Sequence, residues 1–194
     1  MKKAKIIEIP LDRPLTYDEY EKLSKHAINS AIWNVTHYSR NTFQIRDKLK
    51  NKGYTTENIA FINKDGNQED TNIIDNTISH LINNNIIDDE RLAEDYVYNS
   101  AMAGKSISSI RTKMMQRMFP MDIIDNSIDK FLEEYSDTDS EALIRAAEKI
   151  VRVNSFKKLD EYKKKNKLIR MLVSKGFSFN EVLDWISEHP EEML

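Results

Sequence analysis

A short motif occurs twice in this chain, and its spacing constrains the fold more than any other feature. Residues 73–78 read IIDNTI and residues 123–128 read IIDNSI, so five of six positions are identical. Upstream of these motifs, residues 45–54 match residues 110–119 at an offset of 65. A more diverged third copy follows the second at an offset of 58 and places Phe177 in the position of Phe119. Matches that keep their order along a chain predict a protein built from tandem structural repeats.

The first repeat carries an insertion. The downstream motif repeats at an offset of 50 and the upstream motif at 65, so 15 extra residues lie between Tyr54 and Ile73. The end of this segment, 63–70, reads NKDGNQED and is polar with one glycine, which is typical of a surface loop. We therefore expect a loop insertion near 55–70.

Each copy is predicted to form three helices. Four glycines and four prolines in 194 residues leave few sites for tight hairpin turns, and apolar residues recur at helical intervals. In the first copy Ile74, Ile78, Leu81 and Ile82 form the expected inner stripe of the third helix. The predicted helix starts and stops are Thr16 with Glu19, Ser39, Gly53, Asp88 or Asp89, Gly104, Ser106, Met118 in place of a glycine, and Gly176.

A three-helix unit of this size buries little apolar surface alone, so the copies are expected to stack on one another. The predicted fold class is all-α, with three tandem three-helix repeats in an elongated curved array. A short N-terminal arm precedes them, because the segment KIIEI alternates like a strand but has no visible partner strand. The expected boundaries are 1–15 for the arm, 16–87 for repeat 1, 88–136 for repeat 2 and 137–194 for repeat 3.

The positive charge is concentrated on the second helix of each copy. The whole chain has a formal net charge of -3, yet residues 40–52 and 105–117 each carry +4 and residues 163–175 carry +6. If the copies stack in similar orientations, these bases form a discontinuous track along one side of the array, which suits a repeating anion. The alternative is that they are solvated helix faces, with the bases near helix C-termini favoured by the helix dipole.

The sequence gives almost no support to an enzyme. It has no cysteine, GxSxG, HExxH or Walker motif, and its four histidines lack metal-ligand spacing. We therefore expect no catalytic residues, no metal and no cofactor. The start of the chain lacks the apolar core of a signal peptide, and no apolar run approaches the length of a membrane span, so a cytoplasmic location is expected.

Tryptophan and methionine offer alternative binding surfaces. Trp33 and Trp185 could stack on bases of a single strand, but both lie in apolar helix patterns and are predicted to be core residues. Met114 aligns with core leucines of the sister copies, so it is also predicted to be buried. For Met115, Met118 and Met121 the pattern favours neither core nor surface.

Four segments resemble the RecX family, the bacterial regulators of the RecA recombinase. They are HLINNNIIDDERLAEDYV at 80–97, YSRNTFQIRDKLKNKGY at 38–54, GKSISSIRTKM at 104–114 and KLIRMLVSKGFSFNEVLDWI at 167–186. The resemblance implies a non-enzymatic regulator that binds the RecA nucleoprotein filament and mainly inhibits its recombinase and ATPase activities in DNA repair and recombination. It also implies binding to single- or double-stranded DNA. We expect a monomer that does not bind membranes.

The resemblance transfers the family's basic positions to this chain. Together with three further lysines of the third copy, they define the predicted RecA- and DNA-binding basic track: Arg40, Arg46, Lys48, Lys52, Arg111, Lys113, Arg117, Lys163, Lys164, Lys167, Arg170 and Lys175. The chain departs from the family pattern at the 63–70 insertion, at Met118 and in its net acidic composition. A helical-repeat DNA-binding protein and a protein-interaction scaffold without RecA specificity remain the alternatives.

Overall fold

The protein is described by a computed structural model that covers residues 9, 12–135 and 139–193. Most of the predicted N-terminal arm lies outside these residues. The described part is predominantly helical, which confirms the all-α prediction, and it adds one small sheet. Its elements are α1 (Tyr17–Tyr38), α2 (Thr42–Asn51), β1 (Ile59–Ile62), β2 (Gln68–Thr71), α3 (Ile73–Asn83), α4 (Asp89–Met102), α5 (Ile107–Gln116), α6 (Met121–Tyr135), α7 (Asp139–Val151), α8 (Asn154–Lys157), α9 (Glu161–Val173), α10 (Phe179–Glu188) and a 3-10 helix (Pro190–Met193).

The chain divides into two compact units, an N-terminal unit up to Asp89 and a C-terminal unit from Glu90 onward. The N-terminal unit packs α1, α2 and α3 around one buried apolar cluster. Ile74, Ile78 and Leu81 of the predicted α3 stripe are buried in it, whereas Ile82 is 49% exposed, so the expectation for Ile82 was wrong. Ile82 directly follows Leu81, and the helix turns about 100° per residue, which carries its side chain toward solvent.

The insertion forms a hairpin and not the simple loop that its polarity predicted. Strands β1 and β2 pair antiparallel, and Leu15 bridges Phe61 in parallel on the other side of β1. The turn is closed by Asn63, whose side-chain oxygen accepts hydrogen bonds from the backbone N–H groups of Asp65 and Asn67, both at 2.9 Å. Asn63 and Gly66, which has a φ of 82°, therefore supply the turn together, although the scarcity of glycine had argued against hairpins.

Helix ends are set by short-range side-chain bonds. Thr16 and Glu19 form the predicted capping box. Ser39 does not cap α2 as expected; it ends α1 with a φ of 45°, and Asn41 caps α2 through Gln44. Asn41 was overlooked because it lies only two residues after Ser39, and both residue types favour N-caps.

The C-terminal unit contains two further buried clusters. One joins α4, α5 and α6 and includes Met114, which is fully buried as predicted. The other joins α7, α9 and α10 and includes Trp185, also a confirmed core residue at 4% exposure. Trp33, in contrast, is half exposed on α1, so its predicted core position was wrong; its ring stacks on His37 with centroids 4.7 Å apart.

The second and third copies meet directly within the C-terminal unit. The Ser106 hydroxyl, at the start of α5, donates to the Gly176 carbonyl at 2.9 Å. The Ser106 N–H donates to the Lys175 carbonyl at 3.2 Å. A Cβ added to Gly176 would stand 2.3 Å from Ser109 Cβ, so the two backbones approach as closely as a glycine allows. We call this contact the joint.

Candidate interaction surface

Two arginines of the basic track form the same ion pair in successive copies. Arg46 on α2 contacts Asp75 on α3 at 2.6 Å, and Arg111 on α5 contacts Asp125 on α6. Both aspartates belong to the repeated IIDN motif. The motif therefore links the third helix to the second helix in the first and second copies. In both copies an aspartate partly neutralises the charge of the arginine.

Three equivalent bases at the ends of the second helices have different contacts. Lys52 donates to the Ser30 hydroxyl at 2.6 Å, and Arg117 lies over the Tyr96 ring with its guanidinium carbon 4.8 Å from the centroid. Both contacts are with the first helix of the same copy. Lys175 instead donates to the Ala103 carbonyl at 2.7 Å and thereby links the third copy to the second.

Other members of the track present their charge to solvent. Lys48 is half-buried, and among the described residues it has no partner at ion-pair distance. Lys113 is exposed and contacts the Gln116 side-chain oxygen at 3.1 Å. Arg170 is exposed, and Arg40 lies over the Tyr38 ring at 5.0 Å. Cationic side chains therefore reach solvent in all three copies.

Not all lysines of α9 are exposed to solvent. Lys164 is only 6% exposed and lies one and two turns before Leu168 and Leu172, on the buried face of α9. Its predicted place in the basic track was wrong, because one helical turn aligns it with the buried leucines. Lys163 pairs with Asp160 at 2.8 Å, and this hydrogen bond raises the pKa of Lys163. Lys167 lies 6.0 Å from the Phe156 ring centroid.

Counting charge on second helices alone missed a further basic group beside the joint. Arg145 and Lys149 on α7 and Arg152 directly after it line a cleft there. The pKa of Lys175 is lowered, mainly because the side chain is partly buried. The nearby ammonium groups of Lys149 and Lys105 lower it further. Helical spacing places the α7 bases on one side of that helix, but their proximity to Lys175 depends on how the copies pack.

Residues 9, 12–135 and 139–193 contain neither a candidate metal site nor a candidate membrane span. No cluster of three or more histidine, aspartate or glutamate side chains is arranged to hold a metal ion in this part of the chain. None of the helices in the same ranges combines the length and the apolar character that crossing a bilayer requires.

Comparison with known proteins places these features in a family. A family model described as "RecX, third three-helix domain" matches residues 137–186. The Regulatory protein RecX of Clostridium botulinum is 32% identical over 164 residues, covering 82% of this chain and 66% of that protein. The Regulatory protein RecX of Clostridium perfringens is 26% identical over 181 residues, covering 93% of this chain and 74% of the relative.

Solved structures show the same fold. The crystal structure of RecX from Lactobacillus salivarius aligns with a TM-score of 0.57 at 21% identity, over 87% of this chain and 97% of that one. A second crystal structure of regulatory protein RecX gives a TM-score of 0.56 at 20% identity, over 87% and 73% of the two chains. The chain spans about two thirds of the Clostridium botulinum relative. The repeated helices, the sequence relatives and the shared fold together show that the chain belongs to the RecX family of regulatory proteins.

Proposed function

We propose that this protein is a non-enzymatic, monomeric regulator of the cytoplasm that binds the RecA nucleoprotein filament and inhibits its recombinase and ATPase activities. The family and the name "regulatory protein" of its relatives support a regulatory role. The observation that carries the binding mode is the recurrence of solvent-facing bases in every copy, with Lys48, Lys113 and Arg170 as examples. A filament repeats its own surface, so a protein with repeated charge matches it better than one with a single site.

The mechanism follows from multivalency. Each basic helix makes weak contacts with an acidic groove or a phosphate backbone, but helices held on one chain bind at a high effective concentration. Contacts with neighbouring filament subunits then oppose filament growth. If phosphates are the target, log K falls with log salt at a slope of about -0.9 for each phosphate neutralised on duplex DNA.

The proposal is tested by titrating the protein into RecA on single-stranded DNA while recording ATP hydrolysis and filament assembly at two salt concentrations. The test variant is K48E/K113E, which reverses one outward-facing base in each unit. The matched control is K22E/K158E, which reverses one exposed lysine in each unit outside the track. Neither Lys48 nor Lys113 has an ion-pair partner among the described residues, so their reversal leaves the Arg46 and Arg111 ion pairs intact.

We expect inhibition by the wild type and by K22E/K158E and a clear loss in K48E/K113E. The difference narrows at higher salt, because salt screens the charge contacts that the reversal removes. An equal loss of inhibition in both double variants, with folding intact, would show that inhibition depends on net charge and not on the basic track. No effect of the wild-type protein on RecA would refute the proposal.

The second candidate is a DNA-binding protein without RecA specificity, which the same exposed bases favour. Direct binding to random-sequence and selected duplexes in the absence of RecA separates the two candidates. Tight binding to DNA without any effect on RecA would support this candidate.

A further inference from the structure

The joint contains a cleft of about 410 Å³ within the C-terminal unit. One wall is the end of the first helix of the second copy, at Met102, Ala103 and Gly104. The other wall is α7, the first helix of the third copy, which contributes Arg145, Ala146, Glu148 and Lys149, together with Arg152 directly after the helix. The volume lies within the range of small-ligand sites.

Basic side chains line one wall of the cleft, and a further lysine lies beside the other wall. Arg145, Lys149 and Arg152 line it, and Lys175 lies beside Gly104, with its ammonium nitrogen 3.5 Å from the place of a glycine Cβ. Glu148 is the acidic residue of the lining, and it pairs with Arg152 at 2.8 Å. The lining together with Lys105 and Lys175 therefore carries five bases and one acid.

The Lys175 ammonium group lies beside Gly104, which lines the same cleft as Lys149. Its pKa is lowered by burial first and then by the charges of Lys149 and Lys105. In the part of the chain that the structure covers, neither Lys105 nor Lys149 has an acidic partner at ion-pair distance. Like charges held together destabilise one another, and an anion bound between them relieves that repulsion.

Small residues keep the cleft open. A Cβ on Gly104 would stand 3.1 Å from Ala146 Cβ, so the two walls already approach closely at this point. Gly104 has a φ of 75°, which a glycine adopts without strain. A larger residue at either position would fill the space in front of the Lys175 ammonium group.

The arrangement of donors fits phosphate better than carboxylate. A phosphate group offers three acceptor oxygens around a tetrahedral centre, so it accepts hydrogen bonds from cations on several sides. A carboxylate presents two coplanar oxygens, which a single arginine already satisfies. Here two guanidinium groups and three ammonium groups come from three backbone segments: α7 with Arg152 after it, Lys105 after α4, and Lys175 after α9.

We propose that the joint cleft is a phosphate-binding site, formed by Lys105, Lys149 and Lys175 with Arg145 and Arg152. The phosphate belongs either to a free phosphorylated small molecule or to a nucleic-acid backbone. Because the cleft spans the second and third copies, a bound phosphate crosslinks them and stiffens the joint. The site does not depend on RecA, so its test is independent of the filament proposal.

The test measures binding without RecA at constant ionic strength. Inorganic phosphate and pyrophosphate are titrated by calorimetry, and a labelled oligothymidylate by fluorescence anisotropy. The variant K149E reverses a base of the cleft that has no ion-pair partner among the described residues, and K149Q removes the charge alone. The matched control is K165E, an exposed lysine on α9 outside the cleft lining.

We expect saturable binding that weakens by about tenfold or more in K149E, weakens less in K149Q and is retained by K165E. If pyrophosphate shows this pattern, the site takes free phosphates; if only the oligothymidylate shows it, the site takes a backbone phosphate. Either pattern supports the proposal. Equal losses in K149E and K165E, or no saturable binding of any probe to the folded wild type, overturn it.

Discussion

The ends of the second helices in the second and third copies occupy equivalent positions but face different surroundings. In the second copy the helix stops at Met118, which adopts a φ of 62° and leaves 53% of its side chain exposed. In the third copy it stops at Gly176, with a φ of 99° and Ser109 and Ser106 directly in the path of a Cβ. The same backbone turn is therefore a local feature in one copy and part of an interface in the other.

The difference shows why a repeat can lose a glycine at one position and not at another. A left-handed conformation costs a residue with a side chain about 1–2 kcal/mol, which a stable unit tolerates. A side chain where another backbone already lies costs much more, because the contact itself must open. The contact at the joint thus requires a glycine at position 176. At position 118 only the end of the residue's own helix constrains the side chain.

The largest predicted effect is that of G176A. The left-handed strain and the forced opening of the joint together should lower the free energy of unfolding by about 2–4 kcal/mol. G66A is the matched control, since Gly66 also has a positive φ, of 82°, but has no atom within 4 Å of a Cβ; it should lose about 1 kcal/mol.

The measurement for this pair is urea unfolding followed by far-UV circular dichroism. Trp185 fluorescence in a W33F background reports the third copy separately, because Trp185 is then the single tryptophan. A loss in G176A no larger than in G66A would mean that the close approach at the joint does not form.

A second pair of variants distinguishes the stability contributed by helix capping from that contributed by the contact at the joint. Ser106 caps α5 and also donates to the Gly176 carbonyl, so S106A should cost about 1–2 kcal/mol. Ser178 caps α10 through bonds within its own helix, and S178A should cost about 1 kcal/mol. Urea midpoints of the two variants test whether S106A loses more stability than S178A. A larger loss in S178A would argue against a role for Ser106 in the joint.

The substitution M118G is expected to stabilise the protein. It removes the left-handed strain at Met118, and little apolar burial is lost, so the gain should be about 0.5–1 kcal/mol after the entropy cost of a glycine. M118A keeps the strained φ and should change stability little. Thermal unfolding of the two variants distinguishes them; equal behaviour would show that strain at this position is negligible.

The smallest effects concern the duplicated ion pair. D75N and D125N each remove an aspartate that pairs with an arginine of the preceding helix, at side-chain exposures of 53% and 49%. Exposed pairs contribute little, so each variant should lose about 0.5 kcal/mol, and less in high salt. Chemical unfolding at two salt concentrations checks this. A much larger loss in one variant would show that the two copies use the pair differently.

Much of the fold could be predicted because its signals are local. The capping box at Thr16, the cap at Ser106 and the buried Met114 all follow from spacings of three to seven residues along a helix. The hairpin was missed because its turn combines the Asn63 side chain with Gly66, and because its first strand pairs with Leu15, more than forty residues earlier.

The candidate site was predicted less well, for a related reason. Charge counting identifies which helices are basic, but it does not distinguish a base facing solvent from one held by its neighbours. Arg46 and Arg111 are tied to aspartates of the next helix, and Lys164 is buried with leucines. Each outcome depends on packing between elements that the count treated separately.

The sequence by itself determined the repeat, the three-helix pattern of each copy and the concentration of positive charge on the second helices. These features follow from periodicity and from side chains within about one helical turn, where chain connectivity fixes the distances. Tertiary structure alone decided the joint, because Ser106 and Gly176 are 70 residues apart. It also decided which bases remain outward-facing, since burial and ion pairing depend on surfaces that meet only when the helices pack.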